Sequence, residues 1–241
     1  MMNATGITDI GLYREANQDR YTILQLSNNA VFAAVCDGMG GENGGGIASE
    51  CAIETITSAM QNGWREDMGE TSVKSLLVTA VNAANITIFD KAQQDQKLKG
   101  MGTTIVAALV QGSTAHIVHV GDSRAYLIGR ENIQQLTTDH TVVQFLIESG
   151  ELSPQEAAAH PNKHLITRAV GVGEQLQADY TQLQINPDER ILMCTDGLTN
   201  HVSEAEIAKL CQGEPQQCVK QLVDLANQNG GSDNITAVLL Y

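Results

Sequence analysis

The sequence predicts an α+β fold: antiparallel sheets with paired helices packed outside them. Three features carry that expectation. Strand-like runs arrive in groups, helical runs arrive in consecutive pairs, and the two do not alternate as they would in a doubly wound parallel sheet. No repeat, low-complexity tract or Pro/Ser-rich linker interrupts the 241 residues, so one domain with a substantial core is expected.

From the N-terminus, "YTILQL" and "AVFAAVC" read as a hairpin turning at "SNN". Residues 46–62 and 72–98 have helical spacing; in the second, Leu76, Leu77, Val81, Ala84, Ile88 and Ala92 form an apolar stripe. "TTIVAALV", "TAHIVHV" and "AYLIGR" follow as a strand meander. "TDHTVVQFLIESG" predicts a short helix capped by Thr138 or Asp139 and stopped at Gly150. In "SPQEAAAH", Ser153 caps, Pro154 opens the first turn and Glu156 completes a capping box. Strands are then expected near 179–185 and 190–195, helices near 203–212 and 214–229, and a last strand at "NITAVLL".

Composition bounds the function. Hydrophobic residues at 42% and charged residues at 17% describe a folded globular chain. Acids outnumber bases 28 to 14, and a formal charge of −14 argues against a nucleic-acid binder, which needs cations to neutralise phosphates. No apolar run reaches the roughly 18 residues of a bilayer span. "MMNATGITDIGLYR" lacks the regions of a secretory signal. A cytoplasmic protein without membrane contact is expected. Cys36, Cys51, Cys194, Cys211 and Cys218 lack paired metal-ligand spacing and read as reduced thiols.

Five aspartates point to chemistry. Asp19 stands just before the first strand of the N-terminal hairpin and Asp37 just after the second, so antiparallel pairing makes them neighbours. Asp196 follows "RILMCT" and Asp233 precedes "NITAVLL", which predicts a second such pair. Asp122, in "VGDSRAY", occupies a turn between two further strands. Each aspartate alone reads equally as a turn former, but that reading poorly explains all five. Carboxylates gathered at one sheet edge repel one another, and hard divalent cations such as Mg²⁺ or Mn²⁺ relieve the repulsion. The glycines after Asp37 leave room for metal-bound water and let the Gly38 carbonyl approach an ion. Arg14, in "YREANQD", reads either as a surface partner of Glu15 or, beside bound metals, as a fork for phosphate oxygens.

Six segments in order carry a resemblance: "RxxNQD" at 14–19, "DGMGG" at 37–41, "MGTT" at 101–104, "GDSR" at 121–124, "TDGL" at 195–198 and "SDNIT" at 232–236. Together they resemble the motif series of metal-dependent protein serine/threonine phosphatases of the 2C type, bacterial branch. The likeness implies a four-layer α-β-β-α sandwich, two antiparallel sheets flanked by helix pairs, with two Mn²⁺ or Mg²⁺ ions at one end. It implies that Asp37 bridges both ions, that Asp196 and Asp233 complete one site, and that the Gly38 carbonyl and waters hold the other. Asp19 would orient metal-bound water, Arg14 would hold the substrate phosphate, and Asp122 would help bind a third, weaker ion. The chain would be a single domain over 1–241 with a flap at about 137–176. Its activity would be hydrolysis of phosphoserine and phosphothreonine in proteins by a metal-bridging water or hydroxide. It would act as a monomer and oppose a bacterial serine/threonine kinase.

One departure stands out. Many relatives carry a histidine shortly after the "DGMGG" glycines, where this chain has Glu42 and Asn43. Protonation of the leaving group is left without an assigned residue. His140 is a weak candidate, reading more readily as local structure in a helix's first turn; His116 and His119 read as strand positions, and His160, His164 and His201 as surface. Two other classes remain open, an inactive phosphatase-like binding module and a divalent-ion-binding regulatory domain. Intact Arg14, Asp37, Asp196 and Asp233 argue against the first, and Arg14 against the second.

Overall fold

The computed structural model describes residues 2–27 and 29–241; the side chains of Glu42, Asn43 and Ala158 lie outside the described set, as does Asn28 of the "SNN" turn. Two five-stranded antiparallel sheets form its centre. The first runs β1 (Ala4–Asp9), β12 (Ile235–Leu240), β11 (Arg190–Cys194), β8 (Arg124–Ile128) and β9 (Ile133–Gln135). The second runs β10 (Asp179–Gln184), β7 (Thr114–Val120), β6 (Ile105–Gln111), β3 (Ala30–Cys36) and β2 (Arg20–Ser27). A small ladder pairs β4 (Gly38–Met39) with β5 (Gly102–Thr103).

Alternation along the strands sets the layers. On β3, Phe32, Ala34 and Cys36 pack toward α1 (Gly41–Gly63) and α2 (Glu70–Gln94), while Val31, Ala33 and Val35 meet the opposing sheet. On β12, Ile235, Ala237 and Leu239 face the helical layer made by α5 (Asp196–Thr199), α6 (Glu204–Leu210) and α7 (Pro215–Gln228). Val238 and Leu240 of the same strand face inward to the other sheet. Strands buried on both faces are continuous apolar runs, which is why "AVFAAVC" shows no polar alternation. Each large aliphatic or aromatic side chain buried this way contributes about 1.5–3 kcal/mol. The expected α-β-β-α sandwich is the observed architecture.

Most elements lie where the sequence puts them, and the differences have local causes. By length and composition α2 could cross a membrane, yet Val73, Leu77, Val81, Ala84 and Ile88 are buried in the helix-covered core. The three strands expected as one meander divide between sheets: β6 pairs with β7, but β8 crosses to lie between β11 and β9. Gly121 makes the crossing with φ of 104°, where an added Cβ would meet Thr104 Cγ2 at 2.6 Å.

The helix expected to cap on Thr138 or Asp139 starts later. Thr141 is its N-cap, accepting from Gln144 N–H, and α3 covers Val142–Glu148. Asp139 is instead taken by Arg124. Ser153, Pro154 and Glu156 form the expected capping box at α4 (Pro154–Ala158). Between β9 and β10 the chain makes these two short helices and two isolated bridges, Thr103 with Val170 and Thr141 with Ile166.

Candidate active site

Register brings the acids together. Arg20 pairs with Cys36, so Asp19 and Asp37 flank the same end of the β2–β3 hairpin. Cys194 pairs with Ala237 and Thr195 N–H donates to the Thr236 carbonyl, which sets Asp196 and Asp233 side by side at the matching end of the other sheet. Asp122 arrives on the β7–β8 turn, and Arg14 on the loop from β1 to β2. Arg14, Asp37, Gly38, Asp122, Asp196 and Asp233 line one cleft of about 1090 Å³. Asp19 lies behind it, 1% exposed.

Threonines from both sheets fix these acids. The Asp37 N–H donates to Thr104 Oγ1 at 2.9 Å, while its carbonyl accepts from Thr104 N–H at 2.9 Å and Thr103 Oγ1 at 2.8 Å. That clamp holds the backbone and leaves the carboxyl to the cleft. Thr104 Oγ1 also meets Ser123 Oγ at 2.7 Å, tying the Asp37 strand end to the Asp122 turn. Asp19 Oδ2 accepts from Thr195 Oγ1 at 2.9 Å, just beyond β11, and from Thr236 Oγ1 at 2.7 Å on β12.

The glycines after Asp37 serve tight packing as well as open space. A Cβ on Gly38 would lie 2.1 Å from the Gly45 carbonyl oxygen, and one on Gly45 would lie 2.5 Å from the Gly38 oxygen. Backbone therefore packs on backbone where α1 starts, and glycine is accepted inside a helix despite its poor propensity.

Electrostatically the cluster is strained. Burial first, then the carboxylates of Asp19, Asp196, Asp122 and Asp233, hold Asp37 well above the usual carboxylate range. Burial pushes Asp19 up to about 7 against its two threonine bonds, with Asp196 and Asp233 adding to the rise. Asp122 is likewise raised to about 7, by burial and then by Asp196 and Asp139. Asp196 is raised by burial and by Asp233. Asp37, Asp122 and Asp196 still keep part of their surface open on the cleft side.

Two buried oxygens of this cluster, Asp19 Oδ1 and Asp196 Oδ1, have no hydrogen-bond partner among the described residues. Unsatisfied buried acceptors inside a mutually repelling all-oxygen set suit hard divalent cations. Arg14 Nη2 donates to Asp233 Oδ2 at 2.7 Å.

A second group brings one donor atom each from His119, His140 and Asp179 within 4.8 Å of one another. Its hydrogen bonds disfavour a metal. Gly121 N–H donates to His140 Nδ1 at 3.1 Å, which leaves the ring proton on Nε2, facing Asp179 Oδ2 at 3.3 Å. Arg168 Nη1 already occupies Asp179 Oδ1 at 2.9 Å. His140 therefore precedes the helix and holds the Gly121 turn.

Sequence reasoning passed over two site residues. Asn234, within "SDNIT", donates to the carbonyls of Ile10 and Ala16 and accepts from Gln18 N–H, so it shapes the loop that carries Arg14. His164, expected as surface, is exposed but lines the cleft. Nothing in its sequence neighbourhood signals that placement.

Comparison with known proteins agrees with the geometry. A family model described as protein phosphatase 2C matches residues 14–239. The chain is 34% identical over 244 residues to serine/threonine phosphatase stp of Listeria monocytogenes, covering 99% of this chain and 95% of that protein. It is 35% identical over 233 residues to serine/threonine protein phosphatase PstP of Mycobacterium tuberculosis, covering 96% of this chain and 43% of the relative. The crystal structure of serine/threonine phosphatase Stp1 from Staphylococcus aureus superposes with a TM-score of 0.93 at 33% identity, over 100% of this chain and 94% of that one. Sequence, sandwich and cleft agree from one end to the other, and the chain belongs to the protein phosphatase 2C family.

Proposed function

We propose that this protein hydrolyses phosphoserine and phosphothreonine in proteins, using divalent cations held by its aspartate cluster. The observation that carries the reading is the convergence of Asp37, Asp122, Asp196 and Asp233 beside Arg14 in one cleft, the first three raised by burial and by neighbouring carboxylates. Mn²⁺ or Mg²⁺ would supply Lewis acidity toward the phosphoryl group and the water that attacks it.

Asp37, Asp196, Asp233 and the Gly38 carbonyl are the proposed holders of two core ions, with Asp122 helping to bind a third. Asp19, fixed through Oδ2 by two threonines, keeps its unpartnered Oδ1 to orient water. Arg14 binds phosphate oxygens with its forked guanidinium. The whole chain acts as one catalytic domain, a cytoplasmic monomer opposing a serine/threonine kinase, with residues 137–176 as a flap beside the cleft.

The test is turnover of p-nitrophenyl phosphate and of a phosphothreonine peptide, with EDTA-treated protein before and after Mn²⁺. Activity should vanish on chelation and return with Mn²⁺. Full activity in metal-free protein would overturn the metal assignment. No activity under any metal would favour a phosphate-binding module.

A further inference from the structure

Loss of a serine or threonine alkoxide from phosphorus needs a proton, and no aspartate assigned to the cations is free to give one. His164 is the imidazole in the cleft wall, on the segment between α4 and β10. Backbone bonds fix its place. Leu165 N–H donates to the Asn162 carbonyl at 3.1 Å, Val142 N–H to the Leu165 carbonyl at 2.8 Å, and Thr167 N–H to the His140 carbonyl at 2.7 Å. Residue 164 thus ends the turn that leads into the Thr141–Ile166 bridge.

Among the described residues the His164 ring makes no hydrogen bond or ion pair. Its charge nonetheless reaches Asp196, whose ionised form it favours against burial and Asp233. The other charged side chains lining the cleft are Arg14, Glu15, Asp37, Asp122, Asp196 and Asp233. Arg14 does not release a proton in the accessible range. The side chain of Glu42 lies outside the described set.

We propose that His164 is the general acid that protonates the leaving serine or threonine oxygen. The inference rests on the phosphatase reading above and deepens it. As the attacking water oxygen bonds to phosphorus, the P–Oγ bond breaks and its electron pair passes to Oγ. The imidazolium proton goes to that Oγ, giving the free hydroxyl. The attacking water releases a proton into the open cleft and the neutral imidazole takes one up, so the products are inorganic phosphate and the dephosphorylated side chain.

The experiment compares leaving groups. Nitrophenolate departs without help, whereas an alkoxide does not, so loss of a general acid is selective. His164→Gln should lower kcat on a phosphoserine peptide about 100-fold while p-nitrophenyl phosphate turnover changes by less than about threefold. The fall in peptide kcat at high pH, where the imidazolium is lost, should flatten in the variant. Free imidazole should restore part of the peptide activity of His164→Ala. Calorimetric Mn²⁺ affinity and melting temperature should match the parent protein.

Equal losses on both substrates, a change confined to KM, or an undiminished peptide kcat would each overturn the assignment of His164. If the parent protein itself fails to turn over either substrate with Mn²⁺, the phosphatase reading falls and takes this one with it.

Discussion

Arg14 and Asp233 hold each other. Their 2.7 Å contact joins the proposed phosphate clamp to a proposed cation ligand, and the pair is the main reason the guanidinium is held more basic than usual. In the proposed chemistry each partner changes company, Asp233 toward a cation and Arg14 toward phosphate.

The exchange predicts opposite effects on the two ligands. Arg14→Ala should lower kcat/KM for a phosphopeptide about thirtyfold, near 2 kcal/mol for a charge-assisted contact. It should leave Mn²⁺ affinity unchanged or slightly tighter, because Asp233 loses a competitor. Calorimetry showing weakened Mn²⁺ binding with unchanged peptide kinetics would reverse the assignment.

The raised acids make the metal-free protein sensitive to pH. Asp19 and Asp122 hold protons up to about 7, against 3.8 for an ordinary aspartate. Between those values the folded state binds more protons than the unfolded chain, so stability falls as pH rises and returns as pH falls. EDTA-treated protein should melt higher at pH 5 than at pH 8, and saturating Mn²⁺ should cancel or reverse that order by favouring the ionised carboxylates. Asp37→Asn should raise the metal-free melting temperature at pH 8 while nearly abolishing turnover. A metal-free protein that melts lower at pH 5 would contradict the repulsion account.

Asp122 separates a turn former from a ligand. The turn around it is held by its neighbours: Gly121 by His140, and Ser123 by Thr104. Asp122→Ala should therefore melt no lower than the parent protein and require more Mn²⁺ for half-maximal turnover. A lower melting temperature with an unmoved Mn²⁺ titration would assign Asp122 to the turn alone.

Asp139 should matter for stability. It accepts three N–H bonds from Arg124, at 2.9, 3.0 and 2.6 Å, and one from Gln135 at 3.0 Å. Asp139→Ala leaves a largely enclosed guanidinium without its carboxylate, which costs about 3 kcal/mol. A chain of this length should lose about 6–12 °C in melting temperature. A loss below about 2 °C would mean that Arg124 finds another partner.

What was legible in the sequence follows the range of the interactions. Asp19 beside Asp37, and Asp196 beside Asp233, needed only strand ends and antiparallel pairing. The passage of β8 into the other sheet depends on the left-handed turn at Gly121, which a period-two pattern does not encode. Four capping-type residues crowd "TTDHT"; Arg124 takes Asp139, and Thr141 takes the cap. Gly44 and Gly45 fall before the helix read at 46–62, yet belong to α1, whose start is packed against Gly38. His164 owes its place to a bridge across residues 141 and 166, contacts that neither neighbouring sequence nor periodicity records.

The position of β12 has a consequence for biosynthesis. It carries Asp233 at its entrance and is inserted between β1 and β11, although it is the last strand of the fold to be made. A ribosome delivering this chain makes α1, α2 and strands β2, β3, β6 and β7 early, while β1 waits for a neighbour not yet translated. Asp233, a proposed cation ligand, is therefore the last acid of the cleft to be synthesised, and it arrives only with the strand that completes the sheet.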